Sequence, residues 1–257
     1  MNEQKMILIT GASGNLGNKL RQHLAERYTL RLLDIHPRHE GVRQADLSEW
    51  DNQWVEQFRD VDTVVHLAAD PKASQTWDRL VAPNMDSVIN IFAASVQGGV
   101  KRVIYASSNH AMGAYKDIPE PALLTTDLPQ LPGTHYMGRD GLKHNSVAYG
   151  GAKLFGERLG KCYADIHGLS VIAVRIGWTK PGDNEPPGQT EHEPWFKQMW
   201  LSNRDYCQLM NCCIEADPAI GFAVINGMSN NAGMRWDLDH TRDLVGYEAQ
   251  DGLEMTR

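Results

Sequence analysis

Ile7-Leu8-Ile9-Thr10-Gly11-Ala12-Ser13-Gly14-Asn15-Leu16-Gly17 reads as a buried strand, a tight glycine turn and the start of a helix. Glycines at i, i+3 and i+6 leave Cα hydrogens where side chains would stand, so backbone N–H groups can approach a pyrophosphate. A helix beginning near Asn15 points its positive end at that charge. The stretch predicts a dinucleotide site contributed by Gly11, Ser13, Gly14, Asn15, Leu16 and Gly17.

The chain downstream alternates in the way such a site requires. Leu16, Leu20 and Leu24 recur at i+4 and predict a helix with one apolar stripe. Leu30 to Asp34 predicts a second strand, and Asp34 lies 23 residues after Gly11, where a carboxylate meets the adenosine ribose hydroxyls. That charge repels a 2′-phosphate and favours NAD over NADP, while Arg38 nearby suits phosphate and softens the preference. Val42 to Leu47 predicts a short third strand with Asp46 at the adenine edge. Asp62 to Ala69 predicts a fourth, ending in the small residues Ala68 and Ala69 over which a cofactor backbone can pass. A helix around 84–97 precedes the strand Arg102 to Ala106, which runs into Ser107-Ser108-Asn109-His110. Ser146 is placed to cap a helix reaching about Ala164, and Leu169 to Ile176 is another buried strand. An amphipathic helix carrying Trp200, Leu201, Leu209, Met210 and Ile214 follows, then a strand at 222–225 and a short helix at 239–245. Repeated strand–helix alternation predicts an α/β protein with a Rossmann doubly wound parallel sheet and a small C-terminal substrate-binding region. Residues 1–257 are expected to form a single NAD(P)-binding domain. Two Pro- and Gly-rich irregular stretches, about 113–146 and 178–216, are the expected substrate-binding insertions and candidate lid.

Composition sets the outer bounds. Apolar residues make up 42% and charged residues 22% of the 257, as in ordinary globular proteins. A net charge of −7 with no Lys/Arg run argues against nucleic acid. No apolar run approaches a membrane span, and Met1 to Lys5 leads straight into the first strand without a secretory signal. A cytoplasmic location is therefore expected. Cys162, Cys207, Cys212 and Cys213 form no C-x-x-C pair, and no His cluster has zinc-ligand spacing. Reduced thiols and no metal are expected.

Tyr149-Gly150-Gly151-Ala152-Lys153 puts a phenol and an ammonium on one helical face. A lysine charge beside the phenol favours phenolate and predicts a lowered pKa, hence a general base near neutral pH. Two glycines in a first helical turn imply close approach of a cofactor or a neighbouring helix. Ser107 and Ser108 supply hydroxyls at the carboxyl edge of the sheet, where ligands bind in such folds.

The turn 10–17, the strand-end serine and the Tyr149/Lys153 pair together resemble the extended, epimerase-like type of short-chain dehydrogenase/reductase, the NAD-dependent epimerase/dehydratase family. The likeness runs from about residue 6 to 247. Within it, the stretches 106–113 and 174–177 are similar to a narrower group that oxidises C1 of aldoses, comprising uronate dehydrogenases and archaeal-type NAD-dependent glucose-6-phosphate dehydrogenases. Trp77-Asp78 and the stretches 109–115, 199–205 and 212–217 bring the chain nearer the second. Trp178 stands where uronate dehydrogenases have a serine after Val-Arg-Ile-Gly. Trp195, with Lys197 two residues on, falls near the place of their carboxylate-gripping arginine.

The resemblance implies that Ser108 orients a substrate hydroxyl, Tyr149 removes its proton, and Lys153 binds the nicotinamide ribose. It implies sugar contacts from Asn109 and His110, and cofactor contacts from Asp46, Leu47, Leu67, Ala68, Ala69, Asn84, Ile176 and Gly177. A phosphate on the substrate would call for cations. Lys197 and Arg204 are the named candidates, with His192, Arg139 and Lys143 also at hand, and Arg175 is read as a brace. The implied reaction is NAD-dependent oxidation of an aldose to its lactone, with glucose 6-phosphate first and a hexuronic acid second. A sugar-nucleotide epimerase or dehydratase is the alternative, and a non-catalytic dinucleotide sensor a further one. Helices near 84–97 and 149–164 resemble the family's dimer-forming pair, so a homo-oligomer is expected.

Overall fold

The computed structural model describes residues 4–137, 141–187 and 194–254, so Gly138, Arg139 and His192 lie outside the described residues. In order, the elements are β1 Met6–Thr10, α1 Asn15–Leu24, β2 Thr29–Asp34, β3 Val42–Gln44, α2 Asn52–Val55, β4 Thr63–His66, α3 Trp77–Val81 and α4 Ser87–Gly98. They continue with β5 Arg102–Ser108, β6 His135–Met137, β7 Lys143–Asn145, α5 Val147–His167, β8 Ser170–Ile176, α6 Pro194–Gln198, α7 Asn203–Glu215, β9 Phe222–Gly227 and α8 Asp239–Val245. Seven strands form one parallel sheet in the order β3-β2-β1-β4-β5-β8-β9, and β6 and β7 make a separate antiparallel pair. The strand order reverses between β1 and β4, and in such sheets the ligand crevice opens at that reversal.

Strand alternation divides the core between the two faces. Ile7 and Ile9 point to one side with Val65, Ile104, Ile172 and Val174, where Leu20 and Leu24 of α1 and Leu209, Met210 and Cys213 of α7 cover them. Leu8 points to the other side with Val64, Val103 and Val171, under Ile91 and Phe92 of α4. Both faces are covered, which is why these strands read as near-continuous apolar runs. A third cluster of Met112, Tyr115, Leu124, Trp195, Met199, Met228 and Trp236 joins the two irregular stretches to the C-terminal segment. Bridges between Leu124 and Trp236 and between Trp178 and Trp200 stitch them together. No helix among the described residues is long and apolar enough to cross a membrane.

Three local expectations are corrected. Helix α7 begins at Asn203, capped by the Ser202 hydroxyl, so Trp200 and Leu201 precede it. Trp200 instead sits opposite Trp178 in a bridge. The Trp178 amide donates to the Met199 carbonyl and its carbonyl accepts the Leu201 amide, while Trp200's own amide and carbonyl are taken by Lys197 and Ser229, which holds the segment extended until the Ser202 cap starts the helix. The stretch 82–86, which contains Pro83, is a single π-helical turn ahead of α4. Ser146 precedes α5 but its side chain does not cap it, because its hydroxyl is committed elsewhere.

Candidate active site

A cavity of about 760 Å³ runs along the carboxyl edge of the sheet, from Asp34, Asp46 and Leu47 at one end to Ser108, His110, Tyr149, Lys153 and Trp178 at the other. The glycine turn forms its floor. Gly11 has φ of +68° and a Cβ there would lie 2.8 Å from the Ala68 nitrogen. A Cβ on Gly17 would lie 2.1 Å from the Gly11 carbonyl oxygen. No side chain caps α1, so its first-turn amides face the cavity for a ligand to satisfy. Asp34 Oδ2 accepts the Ser13 amide at 2.9 Å and Oδ1 the His36 amide at 2.8 Å, which fixes a carboxylate at the end of β2. Asn15 Nδ2 donates to the Thr179 carbonyl at 2.8 Å, tying the start of α1 to the chain leaving β8. An anion-ready helix end, a cradle that a Cβ would fill and a fixed carboxylate at the end of β2 fit a dinucleotide.

The reactive end is built where β5 and α5 meet. Lys153, 5% exposed, donates from Nζ to the Ala106 carbonyl at 2.8 Å. Its Nζ also stands 5.7 Å from the centre of the Tyr149 ring. The Ser108 hydroxyl is the neighbouring group that favours the ionised form of Tyr149, and its Oγ accepts the His110 amide at 3.2 Å. Burial dominates the electrostatics. It raises the Tyr149 phenol to about 12, a rise that the Ser108 hydroxyl only partly opposes, and lowers Lys153 to about 8. The expectation that the lysine lowers the phenol's pKa in the resting site is thereby corrected: both groups are desolvated, and each is pushed towards its uncharged form.

Glycines 150 and 151 now have their reason. A Cβ on Gly150 would lie 2.4 Å from the His110 carbonyl oxygen, and one on Gly151 2.8 Å from the Trp77 ring. They allow α5 to settle on the segment after β5 and on α3. One turn beyond Lys153, Glu157 accepts Ser107 Oγ at 2.6 Å and Arg175 through Nε and Nη2, both at 2.9 Å. Arg175 thus braces β8 against α5 and is not a substrate clamp. The stripe Tyr149, Lys153, Glu157 at i, i+4 and i+8 was visible in the sequence, and its third member was overlooked.

Of the expected site residues, Gly11, Ser13, Gly14, Asn15, Leu16, Gly17, Asp34, Asp46, Leu47, Leu67, Ala68, Ala69, Ser108, Asn109, His110, Tyr149, Lys153, Ile176 and Gly177 line the one cavity. Three do not. Asn84 holds the Asp70 backbone, accepting its amide at 2.8 Å and donating to its carbonyl at 3.1 Å, and so shapes the loop below the cavity. Arg204 is paired with Asp251 on the C-terminal segment. Lys197 sits on α6, outside the cavity lining. Sequence reasoning passed over Asp70, Pro71, Ser87 and Thr179, which also line the cavity. Asp70 follows directly on the small pair Ala68-Ala69, which was the available signal.

A parallel sheet with a dinucleotide cleft, and a serine, tyrosine and lysine gathered at its far end, defines an oxidoreductase-type nucleotide-binding site of the short-chain kind. The model of the NAD dependent epimerase/dehydratase family matches residues 7–179. The chain belongs to this family, and its cofactor is NAD. Among curated relatives, an NAD-dependent glucose-6-phosphate dehydrogenase of Haloferax volcanii is 36% identical, the match covering 95% of this chain and 93% of the relative. An L-arabinose 1-dehydrogenase (NAD(P)(+)) of the same organism is 32% identical over 95% of this chain and 96% of its own length. Among solved structures, a mutant of uronate dehydrogenase from Agrobacterium tumefaciens complexed with NAD is 29% identical, with a TM-score of 0.77, covering 96% of this chain and 85% of that one.

Proposed function

We propose that the protein is an NAD-dependent sugar dehydrogenase that oxidises C1 of a cyclic aldose to its lactone, with glucose 6-phosphate as the preferred substrate and a hexuronic acid next. The observation that carries this reading is the shared cavity: Ser108, Tyr149 and Lys153 stand at one end of the cleft whose other end is the glycine cradle and Asp34. NAD, when bound, supplies the hydride acceptor. Ser108 holds the C1 hydroxyl, Tyr149 takes its proton, and Lys153 keeps positive charge beside the phenolate that must form. The products are the lactone, reduced cofactor and one proton.

The choice of sugar is supported by the glucose-6-phosphate dehydrogenase relative and by Trp178, which lines the cavity and donates from its indole nitrogen to the Phe196 carbonyl. That bulk occupies a place where a uronate-binding serine is expected. The phosphate reading does not rest on Arg204, which Asp251 engages. The test is NADH formation with glucose 6-phosphate, glucuronate, galacturonate, arabinose and glucose, each with NAD and with NADP. Strongest turnover with glucose 6-phosphate and NAD is expected. Turnover confined to uronates would overturn the substrate choice. No NADH from any sugar, with cofactor retained through purification, would favour the epimerase alternative.

A further inference from the structure

Ser146 sits where a helix cap belongs, fully buried, and caps nothing. Its hydroxyl is spent on two other groups. Oγ accepts the Thr134 amide at 3.0 Å and lies 2.7 Å from Nδ1 of His110. The amide can only donate, so the serine proton needs an acceptor, and His110 Nδ1 is the one beside it. If Nδ1 carried the ring proton instead, the serine proton would be left buried without a partner, which is costly. The imidazole is therefore held with Nδ1 accepting and Nε2 protonated.

The rest of His110 is fixed as firmly. Its amide donates to Ser108 Oγ at 3.2 Å, and its carbonyl accepts the Gly133 amide at 2.8 Å. The ring meets Tyr149 edge to face at 5.5 Å. Nε2 bonds no described residue, and His110 lines the cavity beside Tyr149. Burial also lowers its pKa to about 4, so the ring is uncharged at neutral pH.

We propose that Ser146 is a positioning residue that sets the tautomer of His110, so that the sugar meets a neutral Nε2–H donor and must offer it an acceptor oxygen, ring or hydroxyl. The substrate part of this statement rests on the sugar-oxidising reading above. The tautomer part stands on the geometry alone. A one-proton choice made outside the cavity thereby decides which polarity the cavity presents next to the base.

The experiment has two arms. Nitrogen NMR of the full-length protein with NAD bound, with ¹⁵N-labelled histidine and the His110 signal assigned by its loss in His110→Gln, is expected to show protonation at Nε2. Protonation at Nδ1 overturns the proposal, whether or not any sugar is oxidised. In the kinetic arm, Ser146→Ala should lower kcat/KM about tenfold, the order of one hydrogen bond. The same change in a His110→Gln background should cost less than roughly twofold if serine acts through the ring. Equal losses in both backgrounds would mark Ser146 as structural and overturn the proposal. Should Ser146→Ala fail to fold, the wild-type tautomer still decides.

Discussion

Lys153→Met should make the apoprotein more stable at neutral pH while removing its turnover. Burial lowers the ammonium's pKa from 10.5 to about 8, and that fall corresponds to a folding cost of about 3 kcal/mol. Methionine fills a similar volume without charge, but it leaves the Ala106 carbonyl without its 2.8 Å donor, a loss of about 1 kcal/mol. The variant is expected to be about 2 kcal/mol more stable than wild type at pH 7. Below pH 8 the lysine is charged in both folded and unfolded chains, so the folded form carries the whole cost. Between pH 8 and 10.5 the folded form sheds its proton while the unfolded chain keeps it, and the cost fades as pH rises. The advantage of the variant should therefore shrink through that window and reverse near its upper end, at about pH 10, where the remaining cost falls below the lost hydrogen bond. Urea titrations of both proteins at pH 7, 8.5, 9.5 and 10.5 measure the gap, and other titrating groups cancel in the difference. A gap that does not change with pH, or a wild type already more stable at pH 7, would refute the reasoning.

Other perturbations separate binding, chemistry and stability. Tyr149→Phe should lower kcat by a factor of about 10² to 10⁴ with NAD affinity nearly unchanged, read from NADH formation and a cofactor titration; full activity would remove tyrosine from the role of base. Asp34→Ser removes the acid that anchors the Ser13 and His36 amides, and kcat/KM for NAD should fall about tenfold or more while that for NADP falls less or rises. Arg102 donates from its buried guanidinium to the carbonyls of Cys213, Ala216 and Asp217 at the end of α7, and to Ser170 Oγ. Arg102→Met should cost about 3 kcal/mol through the orphaned carbonyls, lowering the urea midpoint with little change in KM.

The sheet was legible because the residues that make it carry little besides burial. Runs such as Thr63–His66 and Ser170–Ile176 are buried at every position, so periodicity, small-residue ends and glycine spacing pointed the same way. The glycine turn was legible for the opposite reason: at Gly11 and Gly17 the backbone leaves no room for a Cβ, and only glycine answers. What escaped was whatever depended on a partner distant in the chain. Nothing around Arg204 announces Asp251, and nothing around Asn84 announces the Asp70 backbone it holds. Ser146 looked like a cap because local spacing allowed one; only the approach of His110, 36 residues earlier, explains why its hydroxyl went elsewhere.

The site's charge state follows from the same placement. Burial pushes His66 to about 3 and His110 to about 4, and raises Tyr149 to about 12. His66 also holds Nδ1 2.8 Å from Thr10 Oγ1, under the glycine turn. At neutral pH both imidazoles and the phenol are therefore uncharged, and Lys153, at about 8, is the member of this set poised to change charge near physiological pH. A phenol at about 12 is a poor base at pH 7 unless positive charge is kept close to it, and Lys153 is the side chain beside it able to carry that charge. The two are best treated as one coupled pair. Turnover should rise with pH as the pair loses its first proton, and Lys153→Met should abolish that rise along with most of the rate. An unaltered pH profile in a variant that retained measurable turnover would separate the two residues and assign the base elsewhere.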